Sequence, residues 1–262
     1  MGTAYLFYNP LAGEGEITED LDILEFVLDD PCVCCDMTKP ETYEQSLFQL
    51  KEEDYLVVCG GDGTLNRFAN LIADVDCRNE ILYYPGGRQN NFARDHGRCG
   101  GSNPFPVNRH LADLSTIRIG NRSGYFLTGA VFAANPKLRG ISRKKQRYDK
   151  NVDVRIRADK ILYHFDRVCF AAVMHGRHCL NGLIPDLQRS PGEDTLSCVL
   201  IHGCGKWRGK YFLRQLQKGR RPNPNHFTVF RADKIQLFFG KPVTVLTDGE
   251  VQSGVTELAA AI

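Results

Sequence analysis

The sequence predicts an α/β chain of two domains: an N-terminal doubly wound domain with a parallel sheet, and a mainly antiparallel β-sandwich domain after it. In the first hundred residues or so, short apolar runs alternate with segments whose apolar residues recur at helical spacing, as in strands joined by crossover helices. Beyond Leu114, apolar and polar positions alternate and the turns contain Asp and Gly, which is typical of antiparallel strands. The predicted domains are residues 1–113 and 114–262.

The elements of the first domain follow in regular order. Strands are predicted in AYLFYNP, CVCCDM, DYLVVCGG and EILYYPGG, each an apolar run that ends at turn residues. Helices are predicted in TEDLDILEFVLDD, PETYEQSLFQLKEE, TLNRFANLIADV and NNFARDHG. The first helix has an acidic first turn, which suits a helix N-terminus, and the third places Leu65, Phe68, Ala69 and Ile72 on one face.

The second domain begins with STIRIGNRSGYFLTGAVFA, which predicts two strands around a turn at Asn121 to Gly124. Two later segments, 152–175 and 226–250, alternate in the same way. A cleft between the two domains is the expected position of a ligand.

Composition predicts a soluble globular protein, since 42% of the 262 residues are hydrophobic and 24% are charged. The net charge of +2 gives no general attraction to nucleic acid, and no nucleic-acid partner is expected. The N-terminal residues do not form a secretory signal, so we expect a cytoplasmic protein whose ten cysteines are reduced. The cysteine spacing does not fit a zinc site.

Three predicted strand ends carry glycine and polar residues: NPLAGEG (9–15), GGDGTLN (60–66) and PGGRQNN (85–91). Ligands bind parallel sheets beyond the carboxyl ends of the strands, and glycines let backbone N–H groups approach a phosphate. A single such loop is often only a turn, but three at one edge favour a phosphate site. The P-loop lysine is absent, so Asp62 is expected to act through a magnesium ion.

GGDGTLN at 60–66, NPLAG at 9–13 and DGE at 248–250 resemble the diacylglycerol kinase catalytic-domain family, which includes sphingosine and ceramide kinases, and in particular its soluble bacterial lipid-kinase branch. The resemblance covers essentially the whole chain. It implies an ATP-dependent kinase that transfers the γ-phosphate to a lipid hydroxyl, with ATP and Mg²⁺ as cofactors. By resemblance, the nucleotide-binding residues are Asn9, Pro10, Leu11, Ala12, Gly13, Thr38, Gly60, Gly61, Asp62, Gly63, Thr64, Leu65, Asn66 and Arg88.

The same resemblance implies the catalytic residues and a metal site. Glu250 is expected to take the proton from the attacking lipid hydroxyl, and Asp62 is the second catalytic residue. Taken alone, Asp248-Gly249 is equally a hairpin turn signal. A structural Mg²⁺ is expected at Asp194, with backbone carbonyls from Pro191 and Leu196.

The loop PGGRQNNFARD departs from the family pattern, which reads close to P-x-G-T-G/T/A-N-D-F-A-R. Arg88 and Gln89 replace a threonine and a small residue, and Asn91 replaces an aspartate. Arg88 either clamps a phosphate or fills the cleft. The alternatives are therefore a catalytically impaired nucleotide- or lipid-binding regulatory protein and an NAD kinase-like phosphotransferase that acts on a small molecule.

Two basic segments bear on the expected lipid partner at a membrane surface. Residues 137–150 contain seven Lys or Arg and one Asp, and residues 205–221 interleave Trp207, Tyr211 and Phe212 with cations. Each segment is either a peripheral docking surface on the inner membrane face or an ordinary solvated surface.

Overall fold

The computed structural model describes residues 2–11, 17–134, 151–180, 182–190 and 193–262. The chain divides into two compact units, one formed by Met1–Ala93 and Gly97–Asp113, the other by Arg94–His96 and Leu114–Ile262. The predicted fold class is confirmed, since a parallel sheet is followed by an antiparallel β-rich part. The predicted site residues Ala12, Gly13 and Pro191 and the basic segment 137–150 lie outside the described residues.

The first unit is a five-stranded sheet with helices. Its strands are β1 (Ala4–Tyr8), β2 (Cys32–Asp36), β3 (Tyr55–Gly60), β4 (Glu80–Pro85) and β5 (Phe105–Pro106). Its helices are α1 (Ile17–Leu28), α2 (Pro40–Phe48), α3 (Asp62–Ile72), α4 (Asn91–Asp95, whose last two residues are assigned to the second unit) and α5 (Asn108–Ala112).

The sheet has the order β2-β1-β3-β4-β5. The first four strands are parallel and β5 is antiparallel to β4. Because parallel strands end at one edge, the segments after β1, β2, β3 and β4 lie along the same side of the sheet.

Both faces of this sheet are covered, as a doubly wound arrangement requires. Leu6 and Val57 pack on one face with Ile17 and Leu24 of α1. On strand β1 the next residue, Phe7, points the other way and meets Phe68 of α3 edge-on, with ring centroids 5.1 Å apart. The alternation along the strand therefore explains why α1 and α3 lie on opposite faces.

The second unit consists of strands and one long helix. The strands are β6 (Ser115–Ile119), β7 (Arg122–Phe126), β8 (Gly129–Ala133), β9 (Val152–Ala158), β10 (Ile161–Val168), β11 (Phe170–Met174), β12 (Leu196–Ile201), β13 (Phe227–Ala232), β14 (Lys234–Thr247) and β15 (Glu250–Ala261), and the helix is α6 (Lys206–Gln217).

These ten strands are joined in one antiparallel sheet that branches at the long strand β14. The first half of β14 pairs with β9 and the second half with β8, while β15 pairs along its other side. The branch β9–β10 packs against β13, where Tyr163 contacts Phe230 with ring centroids 4.4 Å apart. The layers of the predicted sandwich are thus continuous through β14 and enclose one core that includes Phe132, Val154 and Leu237.

The predicted turn at Asn121 to Gly124 is wrong by about two residues. Ile119 pairs with Arg122, so the turn consists of Gly120 and Asn121, and β7 already begins at Arg122. Gly120 has a φ of 58°, a conformation that glycine adopts without strain, and this determines where the chain reverses.

Among the described residues, no helix is long and apolar enough to cross a membrane. All ten cysteines are free thiols, and six of them are buried.

Candidate functional site

The loops after β3 and β4 pack backbone against backbone. A Cβ built on Gly61 would lie 3.3 Å from the Cα of Gly87, and a Cβ on Gly87 would overlap Gly61. The hydroxyl of Tyr83 on β4 donates to the carbonyl of Gly60 at 3.0 Å. Two of the glycines predicted to cradle phosphate are therefore also required for this close approach of the two loops.

Asp62 links the same two loops through its carboxylate. Its Oδ2 accepts hydrogen bonds from the backbone N–H of Asn91 (2.9 Å) and from the Asn91 side-chain amide (3.0 Å). Its Oδ1 accepts from the backbone N–H of Phe92 at 2.9 Å. The residue is 5% exposed. Asp62, at the start of α3, thus satisfies the first N–H groups of α4, which have no partner within their own helix.

Asn91 suits this arrangement better than the aspartate of the family pattern would. Its amide donates to Asp62 at 3.0 Å and to the Gln89 side chain at 3.3 Å. A carboxylate at position 91 would face the carboxylate of Asp62 without a donor between them. The departure from the family pattern is therefore compensated by a hydrogen bond.

Asn90 holds the loop after β4 in a closed turn. Its φ of 46° lies in the left-handed region, which asparagine tolerates better than most residues. The buried side chain donates to the carbonyls of Pro85 (2.9 Å) and Gly87 (2.6 Å) and accepts from the Gly87 N–H (3.1 Å). Arg88, at the tip of this loop, is exposed.

At its N-terminus, α3 presents backbone N–H groups at the same edge. Thr64 N–H and Leu65 N–H both bond to the carbonyl of Gly61, so the preceding groups at Asp62 and Gly63 point out of the helix. An N-terminus of this kind favours anions through its N–H groups and the helix dipole. The arrangement can bind a phosphate.

The predicted nucleotide-binding residues on α3 differ in which of their groups a ligand can reach. The side chains of Thr64 and Leu65 are buried, and the Thr64 hydroxyl lies 2.5 Å from where a Cβ on Gly60 would stand. Asn66 is half-buried and accepts from the Asn70 amide at 2.9 Å. Leu65 therefore offers a ligand neither its buried side chain nor its N–H, which already bonds to the Gly61 carbonyl.

Polar groups also follow β1 and β2 at this edge. The Asn9 side chain accepts from the Leu11 N–H at 3.0 Å, which shapes the turn through Pro10, and Leu11 is exposed. Thr38 is exposed and donates its hydroxyl (2.7 Å) and its N–H (2.8 Å) to Asp36. Partial burial acts to raise the pKa of Asp36, but the Thr38 bonds and the Lys39 charge outweigh it and lower that pKa.

In the second unit, Asp248 and Gly249 form a two-residue turn between β14 and β15, with φ values of 42° and 93°. The buried Asp248 carboxylate accepts from the N–H groups of Leu127 (2.7 Å) and Thr128 (2.9 Å) and from the Thr128 hydroxyl (2.5 Å). Burial raises the pKa of Asp248 despite these bonds. Glu250, next to this fixed turn, is exposed, so its carboxylate is accessible from solvent.

The pair of Asp95 and His178 is a feature that sequence analysis did not identify. Asp95 accepts from the His178 ring nitrogen Nδ1 at 2.6 Å and from the N–H groups of His178 (3.0 Å) and Arg177 (2.9 Å). A Cβ on Gly176 would overlap the Asp95 carboxylate. The only sequence signal was the charged and histidine-rich HGRH at 175–178, which lies 80 or more residues from Asp95.

The loop before β12, where a structural Mg²⁺ was predicted, is organised by an arginine. The buried Arg189 guanidinium donates to the carbonyls of His175 (2.6 and 2.8 Å) and Glu193 (3.3 Å) and to the Ser197 hydroxyl (3.1 Å). Asp194 is exposed, and Leu196 is the buried first residue of β12. Within the described ranges, no three His, Cys, Asp or Glu side chains are placed to hold a metal ion. The magnesium site at Asp194 stays a prediction.

Comparisons with known proteins agree with the resemblance read from the motifs. Residues 3–115 match the family described as diacylglycerol kinase catalytic domain. Two curated proteins named diacylglycerol kinase, from two strains of Staphylococcus epidermidis, are each 25% identical over 227 residues, which cover 75% of this chain and 70% of theirs.

Solved structures support the fold. A diacylglycerol kinase structure from Bacillus anthracis str. Sterne superposes with a TM-score of 0.63 at 16% identity, covering 99% of this chain and 93% of that one. Another structure from the same organism has a TM-score of 0.67 at 19% identity, with the same coverage.

Proposed function

Because residues 3–115 match the diacylglycerol kinase catalytic domain family, we propose that the chain is an ATP-dependent kinase that phosphorylates a lipid hydroxyl. The match supports a kinase. The lipid acceptor and the use of ATP are our proposal, and both follow from the names of its relatives and from the chemistry of the site.

One observation carries the nucleotide part of the proposal. The carboxylate of Asp62 binds the loops after β3 and β4 together, and α3 begins at this same residue. In this role Asp62 is a positioning residue, since its oxygens hold Asn91 and Phe92 rather than a ligand. The bound nucleotide meets backbone N–H groups at Asp62 and Gly63 that are already oriented, so little ordering is required on binding.

The exposed Arg88 supplies a guanidinium at the end of the adjacent loop. A guanidinium can bind two phosphate oxygens at once, which the threonine of the family pattern cannot do. We assign Arg88 to the phosphates of the nucleotide.

Glu250 is proposed as the general base that takes the proton from the acceptor hydroxyl. Its carboxylate is exposed, and the hydrogen bonds of Asp248 to Leu127 and Thr128 fix the turn from which it projects. Asp248 is thus a second positioning residue.

Mg²⁺ would accompany ATP and would neutralise part of the phosphate charge. In the part of the chain that the structure describes, no three His, Cys, Asp or Glu side chains lie together to hold an ion, and the Asp62 carboxylate accepts three N–H hydrogen bonds. We therefore assign no step to a protein-bound metal.

The test is phosphate transfer from labelled ATP to vesicles containing diacylglycerol, phosphatidylglycerol, ceramide or a sphingoid base. Glu250→Gln tests the base, and Glu257→Gln, the same change on the same strand, is its matched control. We expect a labelled lipid with wild type and Glu257→Gln, and a rate at least 100-fold lower with Glu250→Gln at unchanged ATP affinity.

Three outcomes would contradict the proposal. Product formed from NAD but from no lipid would indicate a small-molecule phosphotransferase. Nucleotide binding without any product would indicate a regulatory protein. Equal rates for the two glutamate variants would remove Glu250 from the chemistry.

A further inference from the structure

Helix α6 has one face in the core of the second unit. Gly209, Phe212, Leu213 and Leu216 are buried, and the last three belong to the same apolar cluster as Phe170. The buried positions recur every three or four residues, so they form one stripe along the helix. The helix is therefore held in a fixed orientation.

The opposite face carries exposed aromatic side chains. Trp207 is 83% exposed and Tyr211 is 57% exposed. Together with Arg214 and Lys218 they occupy positions i, i+4, i+7 and i+11, which is one line along a helix surface. With about 100° between successive residues, this line lies opposite the buried stripe. Trp207 and Tyr211 thus point directly away from the core.

The charged residues of α6 and of the segment that follows it are all cationic. Residues 205–221 contain seven Lys or Arg and no Asp or Glu, and all seven are exposed. The whole chain has a net charge of only +2, so positive charge is concentrated in this segment, as it is in residues 137–150. The seven cations of residues 205–221 are Lys206, Arg208, Lys210, Arg214, Lys218, Arg220 and Arg221.

We propose that α6 and the following residues to Arg221 are the surface by which the protein docks on an anionic lipid bilayer. The inference rests on the proposed lipid acceptor, because such a substrate is found in a membrane. Trp and Tyr favour the interface between headgroups and acyl chains, and Lys and Arg are attracted to anionic headgroups. A helix with one face in the protein core and an aromatic, cationic face outward satisfies both requirements.

A large exposed aromatic face also needs a physical reason. Tryptophan is buried in most of its occurrences, and here the tryptophan of the chain is among its most exposed large side chains. An ordinary solvated surface explains the cations alone. Contact with an apolar phase explains the aromatic pair as well.

Trp207 is the only tryptophan in the sequence, so tryptophan emission, excited selectively over the ten tyrosines, reports on this face alone. We expect vesicles of phosphatidylcholine with 30% phosphatidylglycerol to shift Trp207 emission to shorter wavelength and to reduce its quenching by iodide. Pure phosphatidylcholine vesicles should have little effect, and 0.5 M salt should weaken the shift, since the attraction is electrostatic.

Sedimentation of charge variants with vesicles tests whether the docking surface lies on α6. The triple variant Arg208→Gln, Lys210→Gln and Arg214→Gln should bind anionic vesicles at least tenfold more weakly than wild type. The matched control, Arg122→Gln, Arg157→Gln and Lys241→Gln, removes three exposed cations from the strands and should change binding less than threefold.

Docking and catalysis are separated by measuring vesicle binding without ATP, and turnover with a short-chain acceptor that does not form bilayers. The α6 triple variant should keep wild-type turnover on that acceptor. Vesicle binding without turnover on any lipid would support the docking surface and contradict the proposed function.

Other outcomes would overturn the docking surface. These are an unchanged Trp207 emission with anionic vesicles, or equal sedimentation of the two triple variants. A Trp207 shift that depends on protein concentration without vesicles would assign the face to a second copy of the chain.

Discussion

The carboxylate of Asp62 ties α3 to α4. It receives three N–H donors from residues 29 and 30 positions away in sequence, in a buried place. The sequence motif alone suggested a metal-directed role for Asp62. The hydrogen bonds show a structural role, since the carboxylate holds the first residues of α4.

We predict that Asp62→Ala lowers the free energy of unfolding by about 3 kcal/mol or more, because it leaves buried N–H groups of Asn91 and Phe92 without an acceptor. Nucleotide affinity should fall as well, since the loops lose their connection. Urea unfolding and nucleotide titration measure the two effects. Asp194→Ala, at an exposed position, is the control and should stay within about 0.5 kcal/mol of wild type. If Asp62→Ala unfolded with the same free energy as wild type, contacts other than the Asp62 carboxylate would hold the two loops together.

The cysteine Cys204 precedes the N-cap of α6, and its thiol is hydrogen-bonded to that of Cys169. This bond lowers the pKa of Cys204 to about 7 against the effect of burial, and the charges of Arg167 and Arg208 act in the same direction. The pKa of Cys169 is raised, first by the same bond and then by burial. Of the two thiols, Cys204 ionises first.

This pKa predicts a pH dependence of stability. The folded value lies below that of an unfolded cysteine, about 8.5, so the contribution is fully present above the unfolded value and is lost as the pH falls through about 7. The unfolding free energy of wild type minus that of Cys204→Ser should therefore increase from pH 7 to pH 9. If the unfolding free energies of wild type and Cys204→Ser changed in parallel with pH, this prediction would be contradicted. Thiolate absorbance near 240 nm provides a second measurement.

At the scale of elements, the strand–loop–helix connections after β3 and β4 are built as a pair. The glycines at 61 and 87 let the two loops touch, while Asn90 and the Tyr83 hydroxyl fix the loop carbonyls. Each loop has a conformation that depends on the other. The glycines therefore serve the packing of two elements as well as any phosphate.

Gly87→Ala should accordingly damage the site although it adds one methyl group. The new Cβ would overlap the backbone of Gly61, so the loops must separate. We expect a loss of about 1–3 kcal/mol of stability, as for other overpacked sites, and at least tenfold weaker nucleotide binding. Calorimetry of both variants measures these effects against Gly205→Ala, where a Cβ meets nothing within 4 Å. Similar losses in both variants would show that the contact is unimportant.

At the scale of the molecule, each unit has its own apolar core. Leu6, Val57 and Leu24 belong to the first, and Phe132, Val154 and Leu237 to the second. The loops proposed to bind the nucleotide all lie in the first unit, and Glu250 lies in the second. Binding and chemistry are thus assigned to different units.

A fragment of residues 1–113 should fold cooperatively and bind Mg-ATP without transferring phosphate. At a nucleotide concentration about 100 times Kd, binding stabilises the folded state by about 2.7 kcal/mol, which corresponds to a rise in Tm on the order of 10 °C. Differential scanning calorimetry tests this, with the fragment carrying Gly87→Ala as control. An unfolded fragment would contradict both this assignment and the predicted domain 1–113. If the full chain bound nucleotide but the folded fragment did not, the assignment of nucleotide binding to the first unit would be wrong, while the predicted domain 1–113 would stand.

The sequence by itself determined the order of the first four strands and the first four helices, because apolar periodicity and glycine at strand ends are local signals that the fold must obey. The short elements β5 and α5 were not predicted. Short motifs such as GGDGTLN also indicated the family whose catalytic-domain model matches residues 3–115. The sequence misplaced the turn at Gly120, because NRSG is as good a turn signal as GN and only strand register decides between them.

Tertiary structure alone decided the partners of Asp62, the pairing of Asp95 with His178 and the burial of Arg189. Several of these partners are 29 to 83 residues apart, and no local pattern specifies which buried donor meets which acceptor.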